Sequence, residues 1–370
     1  MSKNVNIDPT IDAIACAGEG KTKQSFATNL LTGWNAGVFI AIGAMLATIV
    51  GQKVGAEWSG FMFAAVFPIG LIGIIIMGGA DLFTGDCMIT PMSTCTRKAK
   101  ISDLYRNWFL AIGGNLIGSI CWAWIVAVSL IYGTTMSAGA ASSAIAIAQA
   151  KIALVEADFV GGFMTLIFKG IICNLLVNFA IYQAVKSNSN LMAKVFNIWF
   201  PIMAFVAVGS EHVVANMYFI PVGIFTGASV TWTQAFIFNF LPVLTGNMIG
   251  GYVFMCLNYW FTTGTQSCDE PEGTVHSDVQ RIGRVLKQLI PLIIGWIIIT
   301  LAYIIVPAGI AMVLEGATTA IAGYARMSFM DAPMIGNVMA DLVIPIVIIV
   351  YVILISIVLR LVFKKVSIRI

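Results

Sequence analysis

The sequence predicts an all-α integral membrane protein whose core is a two-fold inverted repeat. Three observations support this fold class: the composition, the spacing of the apolar segments, and landmarks that recur along the chain. Of the 370 residues, 59% are hydrophobic and only 10% are charged. Soluble domains carry about 25% charged residues, so lipid is the expected solvent. The net charge of +3 is too small to indicate a nucleic-acid partner.

Residues 1–29 are expected to form a cytoplasmic segment ahead of the first membrane span. They contain polar and charged residues but no long apolar stretch of the kind found in a secretory signal. Residues 11–25 could form a short amphipathic helix on the membrane surface. A tail without regular structure is the alternative.

Eight segments are apolar and long enough to cross a bilayer, which takes about 20 residues in a helix. Polar residues and glycines interrupt the second and the fifth segment, and we expect both to be broken helices. The segments are roughly 30–51, 59–78, 107–133, 160–185, 196–229, 237–262, 287–314 and 342–363.

The basic residues predict how these spans are oriented. Lysine and arginine are enriched in cytoplasmic loops. Eight spans place both chain ends on one side, and that side holds sixteen of the 20 lysines and arginines. The opposite side holds Lys53, Lys151 and Arg326, and Lys169 falls inside a span. Both termini are therefore predicted to be cytoplasmic.

An internal repeat divides the core, residues 30–262, into halves at about 30–133 and 160–262. Three landmarks recur in the same order and at a nearly constant separation: 67–69 resembles 200–202, 79–81 resembles 209–211, and 107–119 resembles 239–251. Three spans per half force the halves into opposite orientations. Inverted repeats place their broken helices near the midplane, where backbone polar groups line a pathway.

The part of the chain after the repeat is predicted as a polar linker, 263–286, followed by two additional spans and a short basic tail, 287–370. The seven cysteines form no Cys-x-x-Cys pair and are odd in number. We interpret them as free thiols and expect no metal site and no cofactor.

Ionisable residues inside spans are costly and usually functional. His212, beside the break in the fifth span, can exchange a proton near neutral pH. Lys169 could attract an anion, or form an ion pair with Glu211 or Asp81. Asp81 and Glu211 occupy equivalent repeat positions, and we expect them to accept backbone N–H groups freed at the helix breaks. Four asparagines, Asn115, Asn247, Asn174 and Asn216, are interpreted as packing or capping residues, with a pathway role as the alternative.

Four motifs in chain order resemble those of the formate/nitrite transporter family. The first break, Gly79-Ala-Asp-Leu-Phe-Thr-Gly85, is similar to the family's Gly-Ala-(Glu/Asp)-Leu-Phe-Thr loop. The fifth span carries Glu211-His-Val-Val-Ala-Asn-Met217, similar to its Glu-His-x-x-Ala-Asn-Met signature. Lys169-Gly170 resembles the Lys-Gly motif of its fourth helix, and 239–251 its sixth-helix motif. The resemblance covers about residues 10–262.

This resemblance implies an aquaporin-like protomer of six core helices in a pentamer, with one pore per protomer for formate, nitrite, hydrosulfide or similar monovalent anions. It implies that His212 is central, that Leu82 and Phe83 help form one apolar constriction, that Phe205 lines the other, and that Thr84 bonds towards the histidine. Two departures are Ser210, where many members carry a bulky aromatic residue, and the two additional C-terminal spans.

The expected function is transport across the cytoplasmic membrane, without catalysis. The anion is drawn in by Lys169, takes up a proton near the midplane and crosses the apolar constrictions as the weak acid, which avoids the desolvation of a charge. An aquaporin-like channel for neutral solutes is one alternative, although paired Asn-Pro-Ala loops are missing. A haem- or quinone-binding redox subunit is another, although bis-histidine ligation needs two intramembrane histidines.

Overall fold

The computed structural model describes residues 8–137, 139–263, 278–317, 319–328 and 333–365, all of them helices or connections between helices. Most of the predicted linker lies outside these residues, as do Cys268 and His276. The helix after the linker begins at Asp278, before the predicted start of the seventh span at residue 287. Its first turns carry charged residues, so the apolar pattern did not include them.

The first half of the core contains six helices. They are α1 (Pro9–Thr22), α2 (Phe26–Lys53), α3 (Ala56–Val66), α4 (Ile69–Met77), α5 (Phe83–Cys95) and α6 (Ile101–Val128). The second predicted span is thus α3 and α4, which are separated at Pro68, followed across the break by α5.

Among the described residues, the second half together with the connection ahead of it has five helices, and the C-terminal part has four. In the second half they are α7 (Gly139–Ala157), α8 (Phe159–Lys186), α9 (Leu191–Ala207), α10 (Val213–Thr226) and α11 (232–263). Two stretches of α11 have π-helical hydrogen bonding. The C-terminal helices are α12 (278–317), α13 (Thr319–Ser328), α14 (Pro333–Ala340) and α15 (Val343–Lys365).

Seven helices in the described residues are long and apolar enough to cross a membrane, or eight if α14 and α15, bent by 45° where they meet, form one span. The predicted fifth span is two shorter apolar helices, α9 and α10. Helix α7 was not among the predicted elements. Its alanine-rich sequence is interrupted by Gln149, Lys151 and Glu156, and this weakened the apolar signal.

Helices α1 and α7 occupy equivalent places in the two halves. Each precedes the long first span of its half, α2 or α8. Each packs against the helix that follows a break: α1 against α5, and α7 against α10. With one crossing each for α2, for α3 to α5 together and for α6, α7 begins on the side of the membrane opposite to α1. We call these the α1 side and the α7 side.

Close contact between helices depends on small residues. A Cβ atom at Gly118 of α6 would collide with the carbonyl oxygen of Trp34 on α2. At the equivalent position of the second half, a Cβ at Gly250 would lie 2.5 Å from the carbonyl oxygen of Ile171 on α8. Each half is therefore built around one helix pair in backbone contact.

Replacing Gly118 with alanine should separate this pair, because the obstacle is backbone and cannot rotate away. We expect a loss of about 1–3 kcal/mol of stability, measured as a lower thermal midpoint in detergent. Gly60→Ala is the matched control, since nothing lies within 4 Å of a Cβ at that helical position. Equal midpoints for the two variants would contradict the close-contact role.

The C-terminal helices pack on α6 and α11. Trp296 Nε1 donates a hydrogen bond to Thr245 Oγ1 at 2.9 Å, and the Tyr252 hydroxyl donates to the carbonyl of Gln288 at 2.8 Å. On the α7 side, the Glu315 carboxylate accepts from Thr233 N at 3.0 Å and Thr233 Oγ1 at 2.9 Å. This extension is thus bonded to the sixth span of the core along its length.

Candidate functional site

Glycines interrupt both broken helices. Gly78 and Gly79, between α4 and α5, have φ angles of 70° and 65°, and Gly209, between α9 and α10, has a φ of 67°. Other L-residues rarely adopt this left-handed backbone. Residues 78–82 and 208–212 are therefore extended or irregular, and their backbone polar groups need partners other than the helices.

One asparagine from each half satisfies those groups. Asn115 Oδ1 accepts from Phe83 N at 3.0 Å, while its amide donates to the carbonyls of Gly33 at 2.8 Å and Asp81 at 2.9 Å. In the second half, Asn247 Oδ1 accepts from Val213 N at 2.8 Å, and its amide donates to Gly170 and Glu211, both at 2.9 Å. Each asparagine thus clamps one break.

Asp81 does not accept backbone N–H groups through its side chain, contrary to the sequence-based expectation. Its carboxylate accepts from the amides of Asn29 and Asn107, both at 2.8 Å, and from the ammonium group of Lys21 on α1. The free N–H group at the start of α5, that of Phe83, already donates to Asn115 Oδ1. The Asp81 carboxylate therefore accepts from side-chain donors.

The side chain of Glu211, in the second half, likewise accepts hydrogen bonds from side chains, contrary to the expectation of backbone N–H donors. Its Oε2 atom accepts from Lys151 Nζ on α7 at 2.7 Å and from the amide of Asn216 at 2.7 Å. The proposed ion pairs of Lys169 with Glu211 or Asp81 are therefore wrong, because other lysines occupy both carboxylates. Sequence reasoning missed Lys21 and Lys151 as partners. The two lysines are as far apart in the sequence as Asp81 and Glu211 are, and this equal separation was the available signal.

His212 lies directly before α10 and caps it. Its Nδ1 atom accepts a hydrogen bond from Ala215 N at 3.0 Å, so Nδ1 carries no proton. In the neutral ring the proton is then on Nε2, which donates to Thr84 Oγ1 across 2.9 Å. This bond joins the two breaks. Phe205 stacks on the imidazole, with ring centroids 5.9 Å apart.

A cavity of about 320 Å³ opens beside His212 on the α7 side. Two lysines, Lys151 and Lys169, and one carboxylate, Glu211, line it together with the histidine. Its remaining wall is mainly apolar and includes the four aromatic residues Phe63, Phe67, Phe205 and Phe219. A larger cavity of about 700 Å³, between α11 and the extension, contains residues of neither break.

The predicted site residues fall into two groups. His212, Lys169, Phe205 and Asn216 line the cavity, and so does Ser210, whose hydroxyl donates to the carbonyl of Phe205 at 2.7 Å.

The second group lies away from the cavity. Thr84 reaches the histidine from the first break. Leu82 and Phe83 are buried beside it, with the Phe83 ring packed on Trp108. Asn174 donates to the carbonyls of Thr84 at 3.0 Å and Asn247 at 2.6 Å, so it joins the start of α5 to α11.

A sequence profile described as the formate/nitrite transporter family matches residues 8–261. The chain belongs to the formate/nitrite transporter family. Curated relatives agree. A probable formate transporter of Methanothermobacter thermautotrophicus is 38% identical over 68% of this chain and 95% of its own length. The formate channel BtFdhC of Bacillus thuringiensis is 32% identical over 66% of this chain and 90% of its own.

Solved structures of this transporter family share the fold. A structure described as an FNT family ion channel superposes with a TM-score of 0.59 at 27% identity, covering 69% of this chain and 98% of its own. A pentameric formate channel with formate bound gives a TM-score of 0.53 at 28% identity, covering 64% and 96%. The predicted fold class and family are therefore confirmed, and the chain is a multi-pass membrane transport protein. Helices α12–α15 lie beyond the profile match.

Proposed function

We propose that this member of the formate/nitrite transporter family is a pentameric channel that carries formate or a close monovalent anion across the cytoplasmic membrane. The observation that carries the proposal is the cavity beside His212, in which two lysines and one carboxylate lie against a mainly apolar wall. The names of the relatives support formate as the substrate and the pentamer as the assembly. The basic residues support a cytoplasmic location for both termini.

Electrostatic attraction would concentrate the anion in this cavity. Lys151 is balanced by Glu211 at 2.7 Å, which leaves the charge of Lys169 uncompensated by either break carboxylate. The cavity therefore has a surplus of one positive charge. A cleft of low dielectric lined by one sign of charge raises the local concentration of the opposite ion.

The imidazole of His212 acts as a neutral donor in this proposal. Protonation of Nδ1 would place two N–H groups face to face, because Ala215 N already donates to that atom. The ring therefore offers its Nε2 proton to Thr84, and the hydroxyl hydrogen of Thr84 remains available to another acceptor. The proton that neutralises formate is then delivered as hydronium from the solution on the α7 side, which leaves neutral water behind. Formic acid crosses the apolar constriction without the cost of a desolvated charge.

A substrate panel on proteoliposomes tests the proposal. Uptake of formate, nitrite, hydrosulfide and acetate is measured at mildly acid and at neutral pH, with water permeability measured on the same vesicles. We expect formate uptake well above that of protein-free vesicles, and faster at acid pH. Preference for nitrite or hydrosulfide would change the substrate within the family. Rapid water flow without anion uptake would overturn the anion-channel proposal.

A further inference from the structure

Asp86 departs from the symmetry of the two halves. It lies five residues after Asp81, and the residue five positions after Glu211 is Asn216. The repeat also relates Lys21 to Lys151, at the same separation in the sequence as Asp81 and Glu211. The first half therefore has a second carboxyl group where the second half has an amide.

The charges of the two clusters consequently differ. On the α7 side, Lys151 balances Glu211, and Asn216 is neutral. On the α1 side, one ammonium group, Lys21, contacts both Asp81 and Asp86, the latter at 2.6 Å. Both aspartates are almost completely buried. Two ionised carboxylates would leave the α1-side cluster with one uncompensated negative charge in a setting of low dielectric, which is strongly unfavourable.

Lys21 cannot relieve this imbalance any further. Burial disfavours its charge, but attraction from Asp81 and Asp86 outweighs burial and raises the pKa of Lys21 above its usual range. The lysine is therefore already fully charged at neutral pH, and a proton on one carboxyl group is the remaining way to neutralise the cluster.

The hydrogen bonds indicate where that proton sits. In the second half, the Asn216 amide donates to Asn239 Oδ1 at 2.8 Å and to Glu211 at 2.7 Å. Asn107 is the mirror of Asn239, because each is the first residue of the matching landmarks 107–119 and 239–251. Asp86 Oδ2 and Asn107 Oδ1 are both buried, and neither meets a donor among the described residues. A proton on Asp86 Oδ2 would restore in the first half the donor that Asn216 provides in the second.

We propose that Asp86 carries a proton in the resting channel, in the place of the Asn216 amide, and that its ionisation sets the charge beside the first break on the α1 side. Loss of this proton adds a negative charge next to the break that holds Thr84, and the added charge repels an approaching anion. Asp86 is thus a positioning residue for anion entry, and this part of the inference rests on the proposed function.

Few other groups near α5 can change charge around neutral pH. Tyrosine and cysteine side chains titrate above neutrality. Arg106 donates to the carbonyl of Thr22, and His212 is bonded to Thr84 and capped by Ala215 N. On α1, Asp12 and Glu19 are ion-paired with Lys98 and Lys23. The other titratable side chains on α5 and on the elements packed against it include Cys16, Cys87, Cys95, Asp103, Tyr105, Cys121, Lys169, Cys173, Tyr182, Lys186, Tyr218, Tyr252, Cys256 and Tyr259.

Infrared difference spectroscopy of the purified full-length channel tests the proton directly. The spectrum of the wild type minus that of D86N should contain the carbonyl stretch of a protonated carboxylic acid at neutral pH, shifted in heavy water. D86N should fold, because the amide of asparagine has the same shape as a protonated carboxylic acid. The thermal midpoint of the variant measures whether it does. A difference spectrum that shows only an ionised carboxylate at neutral pH would overturn the proposal. This readout needs no transport, so it holds whichever substrate the channel carries.

Formate flux tests the consequence for entry. The ratio of D86N flux to wild-type flux should be near one at acid pH and rise about tenfold when Asp86 ionises at alkaline pH. The mirror variant N216D should acquire an alkaline loss that the wild type lacks. A ratio that stays constant with pH, despite a protonated Asp86, would overturn the role in entry. Absence of formate flux in the wild type as well would instead overturn the proposed function.

Discussion

Replacing Lys151 with methionine should reduce formate uptake by about 100-fold. The cavity loses one positive charge from its lining, close to where the anion is proposed to bind. The variant leaves Glu211 buried and without its ammonium partner, whose Nζ lies 2.7 Å from Oε2. Breaking a buried pair in this way costs about 3–5 kcal/mol. We therefore expect a lower thermal midpoint together with a slower initial rate of uptake into proteoliposomes.

Two further variants separate charge balance from general damage. Lys53→Met removes an exposed lysine at the end of α2, also on the α7 side, and should leave uptake nearly unchanged. The double variant Lys151→Met/Glu211→Gln removes both charges of the pair, so the surplus from Lys169 returns and uptake should partly recover. If the double variant is as slow as the single one, charge balance does not explain the loss.

Changing His212 should slow formate uptake by about 10- to 100-fold, the range expected when a buried polar group, here the Thr84 hydroxyl, loses its hydrogen-bond partner. His212→Asn and His212→Phe both remove the Nε2 donor. Asparagine is a favoured helix N-cap, whereas phenylalanine is not, so only the phenylalanine variant should also lose about 1 kcal/mol of stability. Uptake rates over a range of pH and thermal midpoints measure the two effects separately.

Thr84 provides the matched pair for this experiment, since its hydroxyl accepts from the imidazole at 2.9 Å. Thr84→Val keeps the shape but removes the hydroxyl and should match the loss in His212→Asn, while Thr84→Ser should behave like the wild type. Unchanged pH-dependent uptake in both histidine variants would show that the imidazole is not part of the pathway.

The repeat was predictable from the sequence because its landmarks have a physical cause. Gly79 and Gly209 recur where a left-handed backbone is needed, and Asn115 and Asn247 recur where a break needs both a donor and an acceptor. Both halves need the same backbone conformation and the same hydrogen bonds at their breaks, and the same residue types supply them. The repeat was therefore visible in a single sequence.

The partners of the two break carboxylates were not predicted, for reasons that are equally physical. Lys21 and Lys151 lie on α1 and α7, two helices whose mixed polar and small residues give weak apolar patterns. A lysine near the membrane surface is also the ordinary signal of a loop. Only the packing of each helix against its break shows that the ammonium groups are turned inwards to Asp81 and Glu211.

The clamps have a consequence for the origin of the molecule. The side chain of Asn115 bonds to backbone of the first half, and the side chain of Asn247 bonds to backbone of the second. Each half therefore contains the asparagine that satisfies backbone polar groups at its own helix break within the membrane. Two self-contained clamps in an internal repeat are what the duplication of one three-span unit leaves behind, and Asp86 against Asn216 is one position at which the two copies differ.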